Sequence, residues 1–180
     1  WMKPSGNLIA SSSRDGTARI WNSVDANQIR AYTSHNSPVT SVDWSSNGKI
    51  VSADDKGDIH IWNYSNGELL KNITNTNEYI NSLKWDVNGD RFVSGGSGLF
   101  VKLWDVVTGQ IIESFGGHLD VISSINFSKD NLHIFSAGYD QSVKKWKIGS
   151  SKPLTPFVQS DVSDKVFSII KPNISVRDVH

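Results

Sequence analysis

The chain has 180 residues, enough for one domain with a sizeable core, and its 18 Lys plus Arg balance 18 Asp plus Glu. A net charge of zero removes the long-range field that draws a protein to nucleic acid or an anionic membrane. The absence of cysteine excludes a disulfide framework and a thiolate metal site, and no apolar run approaches the about 18–20 residues of a spanning helix.

In chain order, the first strand signal ends at Ser11 and the second covers 17–21, closing on Trp21. Residues 38–44 alternate apolar with small polar side chains, the period-2 pattern of a strand. The turn Ser46-Asn47-Gly48 follows, where Asn and Gly accept the positive φ of a tight reversal. Strands are then predicted over 49–52, 58–62 and, beyond Asn66-Gly67, 68–73. The same order returns at 79–85, 91–94, 100–104 and 110–115, and again at 120–127, 133–136 and 142–146. Residues 154–158 can supply the next strand, and 164–172 the first strand of another set, with Pro153, Pro156 and Pro172 suited to edges or turns. No segment of helical length shows a 3.6-residue period.

Three ladders run through these strands in phase. Trp21, Trp62, Trp104 and Trp146 are spaced 41, 42 and 42 residues apart. Ser11, Ser52, Ser94 and Ser136 each stand ten residues before their Trp, and Trp1, Trp44, Trp85 and Phe127 close the first strands. A fixed period of this length is the mark of a repeat architecture. Four short strands make a sheet that cannot bury both faces alone, and radial stacking of such sheets solves the problem.

The segment Asp15-Gly16-Thr17-Ala18-Arg19-Ile20-Trp21-Asn22, its counterpart from Asp140 to Trp146, the Trp104-Asp105 dipeptide and Gly117-His118 resemble the signatures of the WD40 repeat family. The resemblance implies an all-β fold of WD40-type β-propeller blades, about four four-stranded antiparallel blades forming a partial propeller. It divides a single domain, 1–180, into units of approximately 1–34, 35–76, 77–117 and 118–160, with a further blade starting in 161–180. Propellers of this family usually have seven blades, so a piece of a longer WD-repeat protein is expected. A half-propeller that closes by dimerising and a closed four-bladed ring are the alternatives, and an incomplete ring would self-associate through its open edges.

The family carries a buried tetrad of His, strand Ser or Thr, turn Asp and Trp. Here it maps to His118, Ser136, Asp140 and Trp146 in unit four, to Ser11, Asp15 and Trp21 in unit one, and to His35, Ser52 and Trp62 in unit two. Lys56 stands at the Asp position of unit two, with Asp54 and Asp55 nearby. Unit three keeps Ser94 and Trp104, with Asn77 and Gly98 in the His and Asp places. Units two and three are therefore expected to be looser, and unit three the weakest, since a missing partner for a buried polar group costs about 1–3 kcal/mol.

A Ser, His and Asp in one unit also suggest a nucleophilic triad, but a set that recurs with the repeat reads as structural. The five histidines form no HxxxH pair, so no metal site is expected, and no cofactor is expected either. Gly95-Gly96-Ser97-Gly98 lacks the Lys-Ser/Thr of a phosphate loop and reads as a turn between strands. The resemblance places binding on loops at one end of the propeller. Arg14, Asn36, Asp55, Glu78, Tyr79, Leu119 and Tyr139 occupy those positions, with Arg14 and Tyr139 leading as interface anchors. The implied function is a non-catalytic scaffold, intracellular in the cytoplasm or nucleus, that holds peptide segments or domains of other proteins. No nucleic-acid or membrane partner is expected. A propeller-fold enzyme and a chromatin or nucleic-acid reader are the competing classes, favoured respectively by acids converging on the axis and by a basic stripe.

Overall fold

The computed structural model describes residues 6–74 and 76–149. The strands expected at 154–158 and 164–172, and the ladder position of Trp1, lie outside the described residues. Fourteen strands occur among those described, and no helix. They are β1 (Leu8–Ser12), β2 (Ala18–Asn22), β3 (Gln28–Tyr32), β4 (Val39–Trp44), β5 (Lys49–Asp54), β6 (Ile59–Asn63) and β7 (Leu69–Ile73). Then follow β8 (Ile80–Trp85), β9 (Arg91–Gly96), β10 (Phe100–Asp105), β11 (Ile111–Gly116), β12 (Ile122–Phe127), β13 (His133–Gly138) and β14 (Val143–Lys147).

All pairing is between chain neighbours and antiparallel, in four sheets: β1–β3, β4–β7, β8–β11 and β12–β14. The first and last sheets have three described strands each, and the two between them have four. Each strand expected to end on the ladder Trp runs one residue further, to Asn22, Asn63, Asp105 or Lys147. Two irregularities repeat. The first strands of the second, third and fourth sheets shift register near Ser41, Ser82 and Ser124, and the third-to-fourth strand ladders shift at Trp21, Trp62 and Trp104. Such bulges add local twist, which suits sheets that must stack as blades rather than lie flat.

The apolar faces meet between successive sheets, in three clusters. Ile20, Tyr32, Val42 and Trp62 join the first two sheets, Ile61, Leu83, Phe92 and Trp104 the next two, and Val93, Leu103, Ile125 and Ile134 the last two. The small polar residues of the first strands face the neighbouring blade's backbone. Ser41 Oγ accepts from Leu83 N at 3.1 Å and Ser82 Oγ from Ile125 N at 3.2 Å, while Thr40 Oγ1 donates to Ile80 O at 2.5 Å. Asp43 accepts from Trp85 N and from Lys84 Nζ, both at 2.9 Å. The alternation read in the sequence is thus one apolar face for the core and one polar row that satisfies the adjoining strand.

A second tie runs between the outer hairpins. Arg30 donates to three consecutive carbonyls of the next blade's turn, Tyr64, Ser65 and Asn66, at 3.1, 2.6 and 3.0 Å. The same position 41 residues on is Lys71, beside Gly109. One period later Glu113 accepts from Gly149 N at 3.0 Å.

Candidate functional site

Antiparallel register places each ladder Ser directly opposite the residue two before its Trp: Ser11 opposite Arg19, Ser52 opposite His60, Ser94 opposite Lys102 and Ser136 opposite Lys144. The Trp then lies diagonal to the Ser on the same face, and every ladder indole N–H donates to its Ser Oγ, at 2.8, 3.1, 2.8 and 2.8 Å along the chain.

The fourth sheet assembles all four expected groups. His118 Nδ1 lies 2.8 Å from Asp140 Oδ2 and its Nε2 2.7 Å from Ser136 Oγ. A carboxylate only accepts, so Nδ1–H donates to Asp140, Ser136 O–H donates to Nε2, and Trp146 N–H donates to Ser136. Burial opposes ionisation of Asp140, but hydrogen bonds from Leu119 N–H, Ser142 and His118 outweigh it and hold the carboxyl well below the usual carboxylate range. The Asp–His–Ser order is that of a nucleophilic triad, yet Ser136 and His118 are 2% and 3% exposed. The hydroxyl already receives an indole N–H, so no substrate carbonyl reaches it.

The second sheet corrects an expectation. Its network is complete, because Asp54 supplies the carboxylate at which Lys56 is a gap. His35 Nδ1 lies 3.2 Å from Asp54 Oδ2, and His35 Nε2 lies 2.7 Å from Ser52 Oγ. Asp54 Oδ1 also accepts from Lys56 N and Asp58 N, both at 3.0 Å. The reason is visible in the fourth sheet, where the place of Asp54 is taken by Gly138. A Cβ on Gly138 would stand 2.8 Å from His118 Nδ1 and 3.0 Å from Asp140 Oδ1. A side chain there points at the His–Asp contact, so the carboxylate comes from the strand end or from the turn, and the other position yields. Trp62, packed between the first two sheets, is fully buried.

The third sheet fills the vacant space differently. Lys102 Nζ lies 2.6 Å from Glu78 Oε1, and a Cβ on Gly98 would overlap the Glu78 carboxylate. Asn77, at the His position, is exposed with φ 53°. In the first sheet Asp15 turns outward to Thr17 and Arg19, whose guanidinium it meets at 2.6 Å. The Thr17 hydroxyl, then Arg19, hold this exposed carboxyl well below its ordinary range.

His60 is the residue that sequence reasoning missed. Its ring stacks on His35 at 3.9 Å and 13°, and its Nδ1 meets the Tyr32 hydroxyl at 3.0 Å. Burial first, then the neighbouring His35, push its pKa down from 6.5 to about 4. His35 is lowered as well, again by burial, against the opposing pull of Asp54. The signal was available: His60 stands at the repeat position that carries Arg19, Lys102 and Lys144 elsewhere. Among the described residues no group of three His, Cys, Asp or Glu could hold a metal ion.

The loop candidates separate into two groups. Arg14, Asp55 and Tyr79, from three successive sheets, line one cleft of about 490 Å³ together with Ser12, Pro38, Val39 and Thr40. A smaller cleft of about 220 Å³ adjoins it through Arg14 and Pro38 and includes Asn36. Leu119 and Tyr139 are 86% and 67% exposed on the fourth sheet and line neither cleft. Glu78 is occupied by Lys102. Phe100 is 45% exposed and its ring lies against Gly116.

Four antiparallel sheets that stack face to face, each pinned by a Trp–Ser bond, define a β-propeller-type repeat protein. The family model described as WD domain, G-beta repeat matches residues 2–22, 26–63, 67–105 and 109–147, well over half of the chain. The chain belongs to the WD40 family. A search of curated proteins finds no match to it. WD40 repeats generally mediate protein–protein interactions and are typically non-catalytic scaffolds. Among the described residues no helix is long and apolar enough to cross a membrane.

Proposed function

We propose that this chain is a non-catalytic, intracellular scaffold within a larger complex, binding segments of partner proteins at the end of the blades where the second-to-third-strand turns lie. The observation that carries this reading is the meeting of Arg14, Asn36, Asp55 and Tyr79, spread over 66 positions of sequence from three units, around two adjoining clefts. Backbone bonds hold two of them in place, since Tyr79 N donates to Ser97 Oγ at 2.9 Å and Asp55 N donates to Pro38 O at 2.9 Å. Leu119 and Tyr139 extend the same face on the fourth unit. Buried Ser136 and Ser52, committed to indole and imidazole, support the absence of catalysis.

The test is capture of a co-purifying partner by the wild-type chain and by a double variant, Arg14→Ala with Tyr139→Ala. Both side chains are exposed, so the thermal midpoint should stay unchanged while capture falls at least tenfold. Undiminished capture would move the contact face elsewhere.

A further inference from the structure

The second sheet presents a carboxylate oxygen that nothing in the protein uses. Asp55 Oδ1 is buried and has no hydrogen-bond partner among the described residues, an uncommon state for a charged group. Its turn is held firmly. Asp54 Oδ1 accepts from the amides of Lys56 and Asp58, Asp55 N donates to Pro38 O, and Thr76 Oγ1 donates to Gly57 O at 2.7 Å. Arg14 lines the same cleft without pairing with Asp55, and Lys56 next to it is exposed and unpaired with it. At the equivalent places of the other units stand Arg14, Ser97 and Tyr139, so the carboxylate is particular to this blade.

Resting on the reading of this end as the partner face, we infer that Asp55 is the receptor for a lysine or arginine side chain of a partner segment. A desolvated carboxylate oxygen is best satisfied by a cationic donor, and a charge-assisted bond there is stronger than a neutral one. Pro38 and Val39 provide an apolar wall for the aliphatic stem of such a side chain. Tyr79, 44% exposed, lines the same cleft and brings an aromatic ring to its neighbourhood, a group that attracts cations. Arg14, on the rim, is suited to a backbone carbonyl or an acidic group of the same segment. A bare divalent cation fits poorly, because one carboxylate beside a guanidinium does not make a site of several oxygen ligands.

The experiment is a titration of the 15N-labelled chain with four capped pentapeptides, Gly-Gly-X-Gly-Gly, where X is lysine, arginine, Nε-acetyl-lysine or glutamate. Saturable amide shifts of Val39, Asp55, Lys56 and Tyr79 are expected with lysine or arginine. Acetylation of the lysine, and separately Asp55→Asn, should each weaken binding at least tenfold. Asp55→Asn keeps the volume and leaves the backbone bond to Pro38, and an unchanged thermal midpoint verifies its fold. Equal binding of all four peptides, or binding indifferent to Asp55→Asn, overturns the cation assignment while leaving the face a docking surface. No saturable shift with any peptide overturns the assignment. Loss of partner capture in the Arg14 and Tyr139 double variant is read independently and decides the broader reading.

Discussion

Two stacked histidines in the core of the second blade make stability depend on pH in a defined window. His60 is 4% exposed and its pKa falls from 6.5 to about 4. A histidine with a depressed folded pKa binds fewer protons folded than unfolded, so its contribution is constant above about pH 6.5. Stability is then lost as pH falls through that value, and the loss is complete below about pH 4. The shift of two and a half units corresponds to about 3 kcal/mol in full, and about 2 kcal/mol of it is lost by about pH 5. This is a large share of the stability of a domain. Urea unfolding at about pH 7 and about pH 5 measures the loss, and His60→Gln, which keeps an acceptor for the Tyr32 hydroxyl, should reduce it by about 2 kcal/mol. Asp140, held below its ordinary range, loses its contribution only at lower pH. Buried Asp43, whose pKa is raised by burial against the pull of Lys84, changes equally in both proteins and cancels in the comparison. If wild type and His60→Gln lost the same stability between these pH values, the depressed His60 would be refuted.

Two further predictions concern how the blades are pinned. Asp54→Ala strands His35 Nδ1–H and the amides of Lys56 and Asp58, and should cost at least about 1–3 kcal/mol in urea unfolding. Lys56→Ala, at the family's Asp position, should stay within about 0.5 kcal/mol, and equal effects of the two would overturn the assignment of Asp54. Arg30→Ala removes three bonds to the turn of the next blade and should cost about 1 kcal/mol or more. Faster amide exchange at residues 65–67 would locate the loss, and unchanged exchange there would show that the clamp does not hold the turn.

Strand order, blade count over residues 8–147 and the Trp–Ser bonds were readable from the chain because they depend on period and alternation. A Trp ten residues after a Ser across an antiparallel hairpin meets it by register alone, whatever the neighbours do. The ranking of blades was not readable in this way. Lys56 and Gly98 looked like defects, but Asp54 reaches the same His from a position two residues earlier, and Glu78 enters the empty space beside Gly98 with Lys102. Side-chain direction at a strand end decides the first, and packing of a loop from another part of the unit decides the second. His60 and Arg30 carried no motif, because one acts on a ring from another strand and the other on carbonyls of the next blade. The sequence by itself determined the repeat, the sheets and the pins within each sheet, all set by short-range geometry. Only the tertiary structure decided which carboxylates are spent and which is left unpartnered in a cleft, since burial and proximity across three blades have no counterpart in sequence spacing.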